Sequence, residues 1–205
     1  MDTSFLIKGL IIGFSIAAPV GPIGILCIKR SLVNGRIHGL LSGLGAATAD
    51  AFYGCVAGFG LTFVSSFLVS QQVILSIVGG IFLCYLGVRS FLQPVAEDDF
   101  QPEEQNLIAA YGSTFLLTLT NPMTILSFAA VFAGLGLANT GGDYGTAVIL
   151  VLGVFIGSAF WWLLLSGGVS LFRKTFKPQA MRWVNRISGC ILFVFGVIAL
   201  LSNVI

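Results

Sequence analysis

Six apolar runs, separated by charged or glycine-rich breaks, constrain this chain more than anything else in it. They cover about residues 4–28, 39–62, 72–92, 109–137, 146–171 and 183–203, and each reaches the roughly 20 residues of helix that cross a bilayer's hydrocarbon core. Charge is correspondingly scarce. Of 205 residues 9% are charged and 57% hydrophobic, against about 25% charged in a soluble domain, and the mean hydropathy is +1.01. The chain reads as one all-α integral membrane domain over residues 1–205, with too little sequence outside the runs for a soluble domain. The first run continues well past Ala17 and Ala18, where Pro19 is a poor context for cleavage, so it reads as a membrane helix and not a secretory signal. Cys27, Cys55, Cys84 and Cys190 fall in separate runs without C-x-x-C spacing and predict neither a disulfide framework nor a zinc site. The lipid bilayer is the expected surrounding, with no nucleic-acid partner, no cofactor and no metal.

The basic residues set the orientation. Lys29, Arg30 and Arg36 fall in the first loop, Arg89 at the start of the third, and Arg173, Lys174, Lys177, Arg182 and Arg186 in the fifth, leaving Lys8 alone on the opposite face. Cytoplasmic loops carry the excess of Lys and Arg. Both termini are therefore expected on the non-cytoplasmic side of the membrane.

The third loop, at about 93–108, holds five of the eight acidic residues and reads as a solvated linker. It divides the chain nearly in half, and the halves echo each other. "PIGIL" at 22–26 resembles "PMTIL" at 122–126, "GAATADAFY" at 45–53 resembles "GVFIGSAFW" at 153–161, and "IVGGI" at 77–81 resembles "ISGCI" at 187–191. The order and rough spacing persist through all three spans. They predict a three-span unit used twice, about 4–92 and about 109–203, whose odd span number forces the second copy to insert upside down.

Two of the spans are broken at matching places. "AAPVGPIGIL" at 17–26 puts Pro19, Gly21, Pro22 and Gly24 inside span one, and "LTNPMT" puts Asn121 and Pro122 inside span four. Proline removes a backbone donor and clashes with the preceding turn. In hydrocarbon an unpaired peptide group costs several kcal/mol, so a break survives only where protein or water satisfies it. Matching interruptions in two repeats point to a transporter's binding site. Freed helix N-termini suit a carboxylate and freed carbonyls an ammonium group, and an amino acid carries both.

Asp50 is the only acidic side chain inside any span, and facing lipid it would cost about 2.5–3.5 kcal/mol. At 100° per residue, Gly39, Gly43, Ala46, Asp50, Gly54 and Ala57 share a stripe about 80° wide. Small residues let another helix approach closely, so Asp50 is expected to face the bundle interior, where it can pair with a substrate ammonium or carry a coupled proton. The repeat partner of Asp50 is Ser158, and Tyr53 matches Trp161. Ser158, Tyr53 and Trp161 are candidates to line or gate a cavity, with packing or interface anchoring an equally good reading of the aromatics.

The stretch "APVGPIGILCIKRSLVNGRIHGLLSGLGAATADAFYG" resembles the N-terminal signature of the LysE family of amino-acid exporters, a Pro-Gly-Pro motif followed by a glycine-rich helix with an acidic residue in span two. Here the motif reads Pro19-Val20-Gly21-Pro22, one residue longer. "TNPMTILSF" in span four and "NRISGCILFVFGV" in span six extend the likeness over nearly the whole chain. The resemblance implies an inner-membrane exporter of amino acids or close derivatives, coupled to the proton gradient or the membrane potential, often a homodimer and not an enzyme.

Other readings make different demands. A small-cation transporter of the same superfamily wants acidic pairs in equivalent spans, whereas Asp50 is matched by Ser158. A thiol relay wants a cysteine in each half beside the breaks, and span four has none. A scaffold gives no reason for a buried acid between two helix breaks. The expected site is thus a cavity between Pro19–Pro22 and Asn121–Pro122. Backbone groups there hold the zwitterion, Gly21 and Gly24 keep that backbone close, Asn121 adds a hydrogen bond, and Asp50 takes the ammonium or the coupled proton.

Overall fold

The computed structural model describes residues 3–19, 21–58, 70–92, 106–121, 123–128, 144–172 and 178–201. Pro122 and residues 93–105, most of the acidic linker, lie outside this set. Among the described residues every regular element is a helix. In chain order they are α1 (Thr3–Ala17), α2 (Pro22–Val33), α3 (Arg36–Gly58), α4 (Gln72–Leu92), α5 (Leu107–Leu119), a short α6 (123–128), α7 (Tyr144–Leu171) and α8 (Pro178–Leu201).

The first apolar run is two helices, α1 and α2, whose axes meet at 80°. Pro22 occupies the start of α2, where its missing N–H would be unpaired anyway and its fixed φ suits the first turn. Asn34 then caps the C-terminal end, and Gly35 at φ 101° turns the chain directly into α3, a conformation that side-chain-bearing residues avoid. This tight reversal lets α3 start at Arg36, three residues before the expected boundary. Span four is also broken. Asn106 Oδ1 accepts from the Ile108 N–H at 2.9 Å to open α5, which ends at Thr120 before the chain restarts as α6. The last helix begins at Pro178, earlier than hydropathy suggests, so Arg182 and Arg186 belong to it and not to a loop.

Among the described residues, three helices are long and apolar enough to cross a bilayer, Val73–Leu92, Tyr144–Leu171 and Arg182–Leu201, and α1 with α2 forms a broken fourth candidate. The distribution of polarity agrees. Ile74, Ile81, Leu152, Ile156, Leu164 and Ile198 are exposed, whereas Ser42, Thr114, Thr118, Ser158 and Asn185 are buried. An apolar exterior around a polar-spotted interior suits lipid as solvent. The chain is a multi-pass membrane protein.

Glycines decide which helices touch. A Cβ on Gly9 would stand 2.9 Å from the Cα of Gly153, and one on Gly157 would strike the Leu10 carbonyl, which locks α1 onto α7. Gly87 and Gly189 face each other across α4 and α8, as do Gly80 and Gly196, with added methyl groups 2.7–3.0 Å from the opposite carbonyls. Gly45 meets the Tyr111 carbonyl and joins α3 to α5. The small-residue stripe of α3 receives Ser31 of α2 at Gly39, Trp162 of α7 at Gly43 and Val154 of α7 at Gly54. Without a hydrophobic drive between helices in lipid, such close backbone approach is a main source of packing energy.

Candidate functional site

Both helix breaks open onto one cavity of about 590 Å³, within the range of small-molecule pockets. It is lined by Pro19, Gly21, Pro22, Ile23 and Gly24 from the first break, by Ala46 and Asp50 of α3, and by Thr118, Thr120, Asn121, Thr124 and Ser127 around the second. Gly79, Gly80 and Leu83 of α4, Trp162 of α7, and Phe195, Ile198 and Ala199 of α8 complete most of the wall. The wall is mainly apolar, with its polar groups gathered at the breaks and at Asp50.

The two breaks differ in chemistry. At the first, the Ile25 N–H donates to the Gly21 carbonyl at 3.0 Å, which makes Gly21 the N-cap of α2. Gly21 has no side chain, so no cap bonds the next N–H groups of α2, and its flank is empty, since an added Cβ would meet nothing within 4 Å. This is a helix N-terminus left uncapped at a cavity wall, with the positive end of the dipole directed there. At the second break, Asn121 Oδ1 accepts from the Met123 N–H at 3.1 Å, and the Asn121 carbonyl accepts from Thr124 and Ile125 at 3.1 and 3.2 Å. Asn121 thereby caps α6 itself. Its Nδ2 has no partner among the described residues.

Asp50 is 3% exposed. Ser158 Oγ donates to its Oδ2 at 2.7 Å, and Trp162 Nε1 donates to Ser158 Oγ at 3.2 Å. The residues matched between the repeats by sequence are thus in direct contact. The other carboxyl oxygen, Oδ1, has no hydrogen-bond partner among the described residues, and Asp50 forms part of the cavity wall.

The structure brings Pro19, Gly21, Pro22, Gly24, Asp50 and Asn121 around one space. Ser158 stands behind Asp50 and not in the wall. Tyr53 and Trp161, candidates to line or gate the cavity, are not in the lining. Tyr53 donates to the Leu119 carbonyl at 2.6 Å and stacks on Phe128, while Trp161 packs edge-on against Phe14. The lining aromatics are Trp162 and Phe195, and the first was signalled by the sequence, since it lies four residues from Ser158 and so shares its helix face. Thr118, Thr124 and Ser127 were also missed, because isolated hydroxyls in an apolar run carry no periodic signal. Arg30 departs further from expectation. Assigned by sequence to a loop, it is buried within α2.

Comparison with known proteins agrees with this picture. A family model described as LysE type translocator matches residues 14–203. The chain is 31% identical over 193 residues to YcgF of Bacillus subtilis (strain 168), whose name places it among amino acid efflux proteins, covering 91% of this chain and 90% of the relative. It is 26% identical to the membrane protein slr1627 of Synechocystis sp. (strain ATCC 27184 / PCC 6803 / Kazusa), with 92% of each covered. The threonine efflux protein of Salmonella typhi is 20% identical, over 89% of this chain and 91% of the relative. No solved structure matches the chain.

Proposed function

The chain belongs to the LysE type translocator family, and from that premise we propose that it exports an amino acid or a close derivative across the plasma membrane as a secondary transporter. One observation carries this reading: the uncapped N-terminus of α2 and the Asp50 carboxyl face the same cavity. The first suits a carboxylate through backbone N–H groups, the second an ammonium group through Oδ1. Asn121 Nδ2 adds a donor beside the carboxylate. A zwitterion spanning these groups leaves none of its charges unpaired in the low dielectric.

The architecture in this reading is six spans in two inverted three-span repeats, residues about 4–92 and about 109–203. The helix contacts support it because they exchange when the halves are exchanged. α1 packs on α7 as α5 packs on α3, and α3–α7 and α4–α8 pair equivalent elements. Such a unit offers two access states built from the same contacts. The loops rich in Lys and Arg face the cytoplasm, with both termini outside. When the ammonium group leaves, a proton can take its place on Asp50 Oδ1, which would couple export to the proton gradient.

The test is efflux from cells preloaded with labelled amino acids, comparing wild type, Asp50→Asn and empty vector at matched membrane expression. Particular amino acids are expected to leave faster with the wild type and at the empty-vector rate with Asp50→Asn. No acceleration of any amino acid by the wild type would refute the assignment.

A further inference from the structure

Arg30 is a buried cation whose partners among the described residues are all neutral. Only 8% exposed on α2, its Nη1 donates to Ser42 Oγ of α3 at 2.8 Å and, on α5, to the Ala110 carbonyl at 2.9 Å and Thr114 Oγ1 at 2.8 Å. Its Nη2 donates to Ser113 Oγ at 2.8 Å. All four acceptors are neutral, and all three hydroxyls already direct their own protons to the His38 and Ala110 carbonyls. No carboxylate pairs with Arg30 among the described residues. One turn further along, at the C-terminal cap of α2, Asn34 Nδ2 is buried without an acceptor among the described residues. Among the described residues, the neighbourhood is rich in donors and offers Arg30 no carboxylate.

Burying a guanidinium costs several kcal/mol, which neutral acceptors offset only in part. A carboxylate fits its fork with two parallel charge-assisted bonds, each roughly twice as strong as a neutral one. The cluster also lies beside the cavity. Ser42 is four residues from the cavity-lining Ala46, and Thr114 four from Thr118, so on both helices the cluster begins about 6 Å beyond the wall. Leu26 and Cys27 pack beside the cavity-lining Leu117 in the same core cluster. In the topology proposed above, this is the cytoplasmic end of the bundle.

Resting on the export reading, we propose that Arg30 is a second carboxylate site, which takes the exported amino acid as it enters from the cytoplasm and before it reaches the α2 N-terminus. When α5 parts from α2, the four neutral acceptors withdraw from the guanidinium and the carboxylate of the entering amino acid replaces them. The same bonds, remade behind it, close the cytoplasmic side.

The test uses the full-length protein in right-side-out membrane vesicles, whose interior is the cytoplasmic face. Two probes are loaded over a range of concentrations: the amino acid that leaves preloaded cells fastest, and the carboxamide of that amino acid. The wild type is expected to reach half-maximal efflux at a concentration at least tenfold lower for the acid than for the carboxamide. Arg30→Gln should raise the value for the acid several-fold toward that of the carboxamide, the α2 N-terminus keeping the rest of the preference, with maximal rates much less changed. Arg30→Lys should retain part of the preference. Lowered maximal rates for both probes with an unchanged ratio would overturn the proposal and leave Arg30 a latch between helices. Should Arg30→Gln fail to insert, the ratio in Arg30→Lys decides in the same way: a fallen ratio supports the site and an unchanged one overturns it. If the wild type moves no amino acid, the export reading fails and this site with it. If export needs Asp50 but the ratio survives both Arg30 variants, only this inference fails.

Discussion

At the scale of single residues, the division of labour within Asp50 is the main result: Oδ2 is held by Ser158, and Oδ1 is left to the cavity. A hydrogen bond to a charged group is worth about 1.5–3 kcal/mol, so Ser158→Ala should slow export about tenfold or more without abolishing it. Ser158→Thr, which restores a hydroxyl, should recover most of the rate in the same efflux assay; equal loss in both variants would mean that volume and not the hydrogen bond matters. Gly21 offers a sharper case. Because space beside it is open and its φ of −97° is accessible to any residue, Gly21→Ser should fold normally and gain a few tenths of a kcal/mol as a better N-cap. Its hydroxyl would then occupy the N–H groups meant for the carboxylate, so the half-saturating substrate concentration should rise about tenfold. An unchanged value would move the carboxylate site away from α2.

At the scale of elements, packing in lipid predicts opposite outcomes for chemically identical changes. Gly189→Ala would put a methyl 2.7 Å from the Gly87 carbonyl and the Phe91 N–H nitrogen, forcing α8 off α4 at a cost of about 1–3 kcal/mol. Gly112→Ala, on α5 with nothing within 4 Å of the new methyl, should instead stabilise by up to about 1 kcal/mol through helix propensity. Thermal unfolding in detergent, read side by side for the two, checks the pair. Much of this scale was legible in the chain. The Pro19–Pro22 interruption marked a break, Asn121 marked another, and the glycine stripe of α3 foretold which face meets its neighbours. What could not be read was direction. Hydropathy sees the first run as one span and says nothing of the 80° turn between α1 and α2, which depends on what surrounds the break. Charge misled twice for one reason: Arg30 and the pair Arg182 and Arg186 were assigned to loops because cations are costly in hydrocarbon. Neutral partners from two helices, α3 and α5, allow Arg30 inside, and exposure at the start of α8 allows the other two in a helix. Tyr53 and Trp161 were placed by repeat alignment, which fixes equivalence but not helical phase.

For the whole molecule, the seam between α4 and α8 is the place to test the two-fold relation of the halves, because each helix there faces its own repeat equivalent. Native Cys84 supplies half of a crosslink. A Cβ on Gly196 would lie 2.6 Å from its Sγ and 2.8 Å from the Cys84 nitrogen and the Gly80 carbonyl, so a thiol placed there shifts α8 slightly on α4, as at Gly189, and remains close enough for a disulfide. The experiment combines Gly196→Cys with a protease site inserted among residues 93–105 and a membrane-permeant oxidant. After cleavage, the oxidised chain should run as one band without reductant and as two halves with it. Export by the oxidised, uncleaved protein should persist at half or more of the reduced rate. In the proposed inverted-repeat cycle, exchanging the roles of the halves moves contacts between equivalent elements near the axis least, whereas the α2–α5 seam opens for substrate. Two bands without reductant would contradict the observed packing of α4 on α8. A single band with export abolished would show instead that these helices slide past each other in every cycle, and that the moving seam lies on the axis and not beside it.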